Sequence, residues 1–172
     1  SYLLIKGFFI HEQISDIDYT SDIQPILDKN ISGKDKIESL LRLRSEMFEK
    51  CDSYQKEIDK ERCTGQVTYN IMDKIFSIGQ ENREYEKDLD VLKLTCEDEL
   101  VYIPTPELDI SKRKGYCYYA LSFDVSQCDY IKDATYLNWC KIRFSCGEHS
   151  YVGYGDNCFC EAGYQKSEVT NK

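Results

Sequence analysis

The side chains with the most chemistry to offer in this 172-residue sequence are nine cysteines and two histidines. Seven of the cysteines fall between Cys96 and Cys160. A thiolate can attack a carbon, ligate a metal or close a disulfide, and spacing separates these uses. Structural zinc draws on repeated C-x-x-C pairs or on cysteines grouped with histidines. Here there is one C-x-C, at Cys158-Phe159-Cys160, and the only histidines are His11 and His149. Dense cysteines without metal spacing point to disulfides and an oxidising compartment. The expected framework comprises Cys51, Cys96, Cys117, Cys128, Cys140, Cys146, Cys158 and Cys160, with no metal and no cofactor.

Nine is odd, so one thiol is free, bonded to another chain, or paired beyond this segment. If Cys51 and Cys63 lie on one straight helix they are roughly 18 Å apart, too far to bond. Cys63 falls beside an expected turn at Cys63-Thr64-Gly65 and is therefore the candidate free or intermolecular thiol. Strand geometry would allow a local Cys117–Cys128 bond, but the spacing does not fix the connectivity.

No catalytic residue is assigned. His149 near the cysteines could serve a Cys–His pair, but an oxidised sulfur is not a nucleophile. No nucleophile elbow, zinc-protease helix, dinucleotide fingerprint or phosphate loop is present. Asp16 to Asp22 opens like a calcium loop, yet Ser21 stands where that loop needs glycine and Leu27 where it needs glutamate. Asn30-Ile31-Ser32 is a sequon, which makes Asn30 a candidate glycosylation site. The chain is therefore expected not to be an enzyme.

Positioning these residues requires a core, and 41% hydrophobic with 31% charged residues supplies one. The net charge of −9 repels phosphate backbones, so nucleic acid is not an expected partner. Lys112-Arg113-Lys114 is too short a run to reverse that and reads as a solvated loop. No apolar stretch is long enough to cross a membrane. The chain does not open with methionine, which fits a start after a removed leader. Any membrane anchor is expected outside this segment.

Two helical stripes dominate the first hundred residues. Ile37, Leu40, Leu41, Met47, Phe48, Cys51, Tyr54 and Ile58 predict one helix over about 34–62, with Arg44 interrupting its face. Ile71, Ile75, Ile78, Asn82, Tyr85, Leu89, Leu92 and Cys96 form a heptad seam with one polar position, Asn82. An antiparallel hairpin follows, its seam internal to a bundle rather than offered to a partner coil. Residues 1–10 are expected to form a strand. A short helix is expected from Thr20 towards Asn30, with Pro25 in its first turn.

The character changes at Pro104-Thr105-Pro106. Cys117, Tyr119, Leu121, Phe123 and Val125 alternate, which predicts a strand with one buried side. Residues 135–145 fit a short helix or a second strand, and glycines punctuate the rest. The expected fold class is α+β: an N-terminal antiparallel helical bundle over 1–103, a small disulfide-rich β module over 104–166, and an exposed tail over 167–172.

Two likenesses overlap in the last third. Cys158-Phe159-Cys160-Glu161-Ala162-Gly163-Tyr164 resembles the end of an EGF-like module, although that module's final cysteine is absent. Trp139-Cys140, Arg143 and Cys146-Gly147 resemble a degraded thrombospondin type 1 repeat, which stacks tryptophans on arginines. With the acidic helical first part and the Lys, Asp, Ile and Tyr bias, the whole resembles apicomplexan, Plasmodium-like merozoite surface and invasion proteins, the thrombospondin-related ones among them. That resemblance implies host-cell invasion and a disulfide-linked protein partner.

The expected function is a secreted or cell-surface binding and adhesion ectodomain, on the extracellular face of the plasma membrane if anchored, assembling with a protein partner. Nine of the fourteen tyrosines follow residue 101, and exposed tyrosines often anchor interfaces. The alternative is a secreted helical carrier or scavenger of a small ligand, held between the helices.

Overall fold

The computed structural model describes residues 19–101, 109–146, 150–152 and 158–160. Six α-helices account for most of them: α1 Tyr19–Leu27, α2 Gly33–Asp52, α3 Glu57–Glu81, α4 Leu89–Cys96, α5 Ile110–Leu121 and α6 Ala134–Cys146. A π-turn at Asn82–Glu86 ends α3, and a 3-10 turn at Val125–Tyr130 lies between α5 and α6. Two three-residue strands, β1 Ser150–Val152 and β2 Cys158–Cys160, pair antiparallel with Tyr151 opposite Phe159.

This corrects the expected α+β class. The segment read as a buried strand is helix α5, and the described residues contain one short strand pair rather than a β module. Aromatic residues favour strands only weakly, and tertiary contacts override that preference. Asp109 starts α5 by accepting the Lys112 N–H at 3.0 Å. Its buried residues, Gly115, Cys117, Tyr118 and Leu121, follow helical spacing. The 135–145 segment takes the helical option as α6.

The first expected helix is split in two. Its chain contains no Gly or Pro at the break, only Ser53-Tyr54-Gln55-Lys56. Ser53 closes α2 with its N–H on the Cys51 and Lys50 carbonyls and its hydroxyl on the Lys50 carbonyl at 2.6 Å. The chain then reverses, and α3 runs back along α2 so that Gly33 faces Ile78. The expected turn at Cys63-Thr64-Gly65 lies inside α3 instead.

The heptad seam is likewise interrupted, at Asn82. Asn82 is 2% exposed; its Nδ2 donates to the Asp88 carbonyl at 3.0 Å and its Oδ1 accepts the Asp88 N–H at 2.9 Å. Lys87 adopts the left-handed conformation, φ 55°, and returns its N–H to the Asn82 carbonyl. The wide turn rotates Tyr85 out of the seam, leaving it 79% exposed. Ile71, Ile75, Ile78, Leu92 and Cys96 remain buried.

Two apolar clusters result. One joins α1, α2, α3 and Val91 of α4; the other joins Leu92, Cys96 and Val101 to Cys117, Tyr118, Leu121, Cys128, Ile131 and Cys140. The second cluster draws on both sides of Pro104-Thr105-Pro106, which itself lies outside the described residues. So do the expected strand at 1–10 and the tail at 167–172. The expected helix near Thr20 is α1, with Pro25 beyond its first turn rather than in it.

Candidate functional site

Disulfides fix the frame. Cys51 bonds Cys63, Cys96 bonds Cys117, and Cys128 bonds Cys140. All six cysteines are fully buried. Two readings fall here. Cys63 is neither free nor intermolecular, because the break after Asp52 lays its helix against that of Cys51 and brings the two Cα atoms to 5.5 Å. Cys117 does not bond Cys128, because α5 is a helix that turns Cys117 towards Cys96 on α4. The side chains of Cys146, Cys158 and Cys160, together with His11 and His149, lie outside the described residues.

A four-ring aromatic face sits on α5 and α6. Tyr116 and Tyr119 lie one turn apart on α5, and Tyr136 and Trp139 one turn apart on α6. The Tyr136 and Trp139 rings meet edge to face at 5.4 Å and 88°, Tyr119 meets Trp139 at 5.9 Å, and Tyr116 meets Tyr136 at 5.9 Å. Such edge contacts suit the ring quadrupole and add about 1 kcal/mol each beyond burial. All four residues are half-buried, so each keeps part of its surface in contact with solvent. The helices run in the same sense and approach closely at Gly115, where an added Cβ would stand 3.0 Å from Tyr136 Cδ2. Arg143, 8% exposed, fastens α6 to the end of α5 by donating to the Tyr119 carbonyl at 2.6 Å.

A second feature is an open groove of about 430 Å³ between α2 and α4, floored by Leu41 and Leu94. Lys34 and Asp90 form an exposed ion pair across it at 3.0 Å. Arg44 clamps Asp98 with two hydrogen bonds of 2.9 Å. Burial pushes the Asp98 carboxyl up, but the Arg44 guanidinium and the Leu100 N–H more than offset this and hold it below the usual carboxylate range. Glu97 follows the same pattern, with burial outweighed by the Tyr118 hydroxyl at 2.7 Å and the Lys114 ammonium at 3.2 Å. Burial and the bond to Glu97 push the Tyr118 phenol far upward. These carboxylates stay ionised and this phenol stays protonated near neutrality, so none of the three is tuned for proton transfer there.

Sequence reading did not find either feature. Arg44 in an apolar stripe was the visible signal for the buried ion pair. The i, i+3 spacing of Tyr116 with Tyr119 and of Tyr136 with Trp139 shows a shared face only once both segments are read as helices. Trp139, Cys140 and Arg143, which carry the likeness to a thrombospondin repeat, all lie on α6.

Among the described residues no helix is long and apolar enough to cross a membrane, and no group of acidic, cysteine or histidine side chains could hold a metal ion. Fold and site together define a disulfide-stapled helical protein with an aromatic face. No known protein family, characterised protein or solved structure matches this chain.

Proposed function

We propose that this chain is an extracellular binding ectodomain that engages a protein partner through the aromatic face of α5 and α6. The four half-buried aromatic residues carry the reading. Tyr and Trp offer large amphipathic contact area at low cost in side-chain freedom, and they dominate interface hot spots. The two helices are tied to their surroundings by the close approach at Gly115, by the Arg143 bond to the Tyr119 carbonyl and by the Cys128–Cys140 bond from α6 to the 3-10 turn, which lowers the cost of ordering the face on binding. Three disulfides support a secretory route. Host-cell invasion is the narrower form of the proposal, resting on the sequence resemblance alone.

A covalent partner remains part of the proposal on different cysteines. Six are joined within the chain, and Cys146, Cys158 and Cys160 cannot all pair with one another. A bond to another chain would use one of these three.

The test is crosslinking of the intact, natively produced protein on its own cell surface or medium, with Trp139→Ala and Tyr119→Ala in parallel. A partner crosslinked to α5 or α6, with affinity reduced tenfold or more by Trp139→Ala in a variant whose circular dichroism shows the helices retained at the assay temperature, is the expected result; that loss corresponds to about 1.4 kcal/mol. Binding indifferent to both substitutions overturns the assignment of this face. The groove favours a second reading, a carrier of a small amphiphile lying on Leu41 and Leu94. A co-purifying small molecule whose retention depends on Leu94 would replace the protein-binding reading.

A further inference from the structure

The structure assigns Asn30 as an N-glycan acceptor that is used before helix α2 closes. Asn30-Ile31-Ser32 is the one N-x-[ST] tripeptide in the chain. It occupies the loop between α1 and α2, with all three residues exposed. The Ile31 N–H bonds back to the Lys29 carbonyl at 3.0 Å, so Asn30 stands at the tip of a tight turn. Its carboxamide makes no hydrogen bond to any described residue. Other asparagines are engaged: Nδ2 of Asn70 donates to the Gln66 carbonyl within α3, and Asn82 is buried with both ends of its amide bonded.

Ser32 gives the order of events. It is the N-cap of α2, in extended conformation at φ −61° and ψ 156°. Its Oγ accepts the Asp35 N–H at 3.1 Å and donates to Asp35 Oδ2 at 2.7 Å. A glycosyl transferase that recognises the sequon must engage this hydroxyl, and in the folded chain it is committed twice. The hydroxyl is available only while the first turn of α2 is unformed.

The transfer uses a lipid-pyrophosphate-linked oligosaccharide as co-reactant. Asn30 Nδ2 attacks the anomeric carbon, forming the N–C bond. The bond from that carbon to the pyrophosphate oxygen breaks, lipid pyrophosphate departs with the electron pair, and one amide proton passes to a base of the transferase. Ile31, beside the acceptor, is 38% exposed. Tyr119 and Tyr136 of the aromatic face pack on the second cluster, to which the loop between α1 and α2 contributes no residue, so the two features are independent.

The full chain is produced through a eukaryotic secretory route and mapped after peptide:N-glycosidase treatment, which converts a glycosylated Asn30 to aspartate. Conversion at Asn30 is expected in the wild type and in Ser32→Thr, which keeps both sequon and cap. Asn30→Gln is expected to lose the glycan without losing the cap. In parallel, purified transferase and lipid-linked donor are presented with the folded chain and with the reduced, unfolded chain. Transfer to the unfolded chain is expected to exceed transfer to the folded chain by an order of magnitude or more. Secreted chain bearing unmodified Asn30 overturns the site, and equal transfer to the two forms overturns the order.

Discussion

Arg44 and Asp98 show how one residue that spoils a pattern can hold a fold together. Their side chains are only 15% and 14% exposed, and two parallel hydrogen bonds join α2 to the turn after α4. Removing the guanidinium leaves a desolvated carboxylate with a single backbone donor, so Arg44→Ala is expected to cost about 3 kcal/mol in a denaturant titration. The same pair sets an acid limit. The folded-state pKa of Asp98 is depressed, as is that of Glu97, so their contribution is complete above the unfolded carboxylate range and is lost as pH falls through the folded value. Stability is therefore expected to decline below about pH 4, where unfolded carboxylates begin to take up protons. A denaturation midpoint followed from pH 7 to pH 2 checks this, and Arg44→Ala should flatten part of the decline.

At the level of elements, glycine had opposite meanings at two places on α3. Gly65 suggests a turn in the sequence, yet it lies exposed inside α3 with nothing within 4 Å of an added Cβ. Gly65→Ala is expected to raise stability by about 1 kcal/mol through helix propensity. Gly79 lies where α3 meets α4 and α5: an added Cβ would stand 2.8 Å from Leu121 Cδ1 and 3.0 Å from Thr95 Cγ2, both on buried residues. Gly79→Ala is expected to destabilise by about 2 kcal/mol despite the same gain in propensity. Thermal unfolding of the two variants should move in opposite directions.

The helices of the first hundred residues were legible because their apolar periodicity is strong, whereas their ends were not. The break after Asp52 carries no Gly or Pro, and the kink at Asn82 depends on a side chain bonding backbone six residues on. The break leaves no local mark, and the kink shows only as the one polar position in the seam, which does not by itself signal a change of direction. For α5 the alternation of Cys117, Tyr119 and Leu121 imitated a strand, while the buried set that decides its conformation is fixed by partners on α4 and α6. The aromatic face was hidden for the same reason.

On the scale of the whole molecule, the disulfides bridge successive helical elements rather than distant ones. Each encloses a short loop, with sequence separations of 12, 21 and 12. On the chain-entropy account each contributes about 3 kcal/mol by restricting the unfolded state. Replacing Cys51 and Cys63 together by alanine is expected to lower stability by that amount or more, given the space two buried sulfurs vacate. Equilibrium unfolding of the double variant beside the wild type measures it.

The pairing has a further consequence. Taken in chain order, the six bonded cysteines join first to second, third to fourth and fifth to sixth. Of the many pairings open to six thiols, this is the one reached by nearest-neighbour closure as a polypeptide enters an oxidising lumen. Each ring is complete before the next begins, and none threads another. A disulfide-forming oxidase acting vectorially on an entering chain would arrive at the native map of these six without reshuffling.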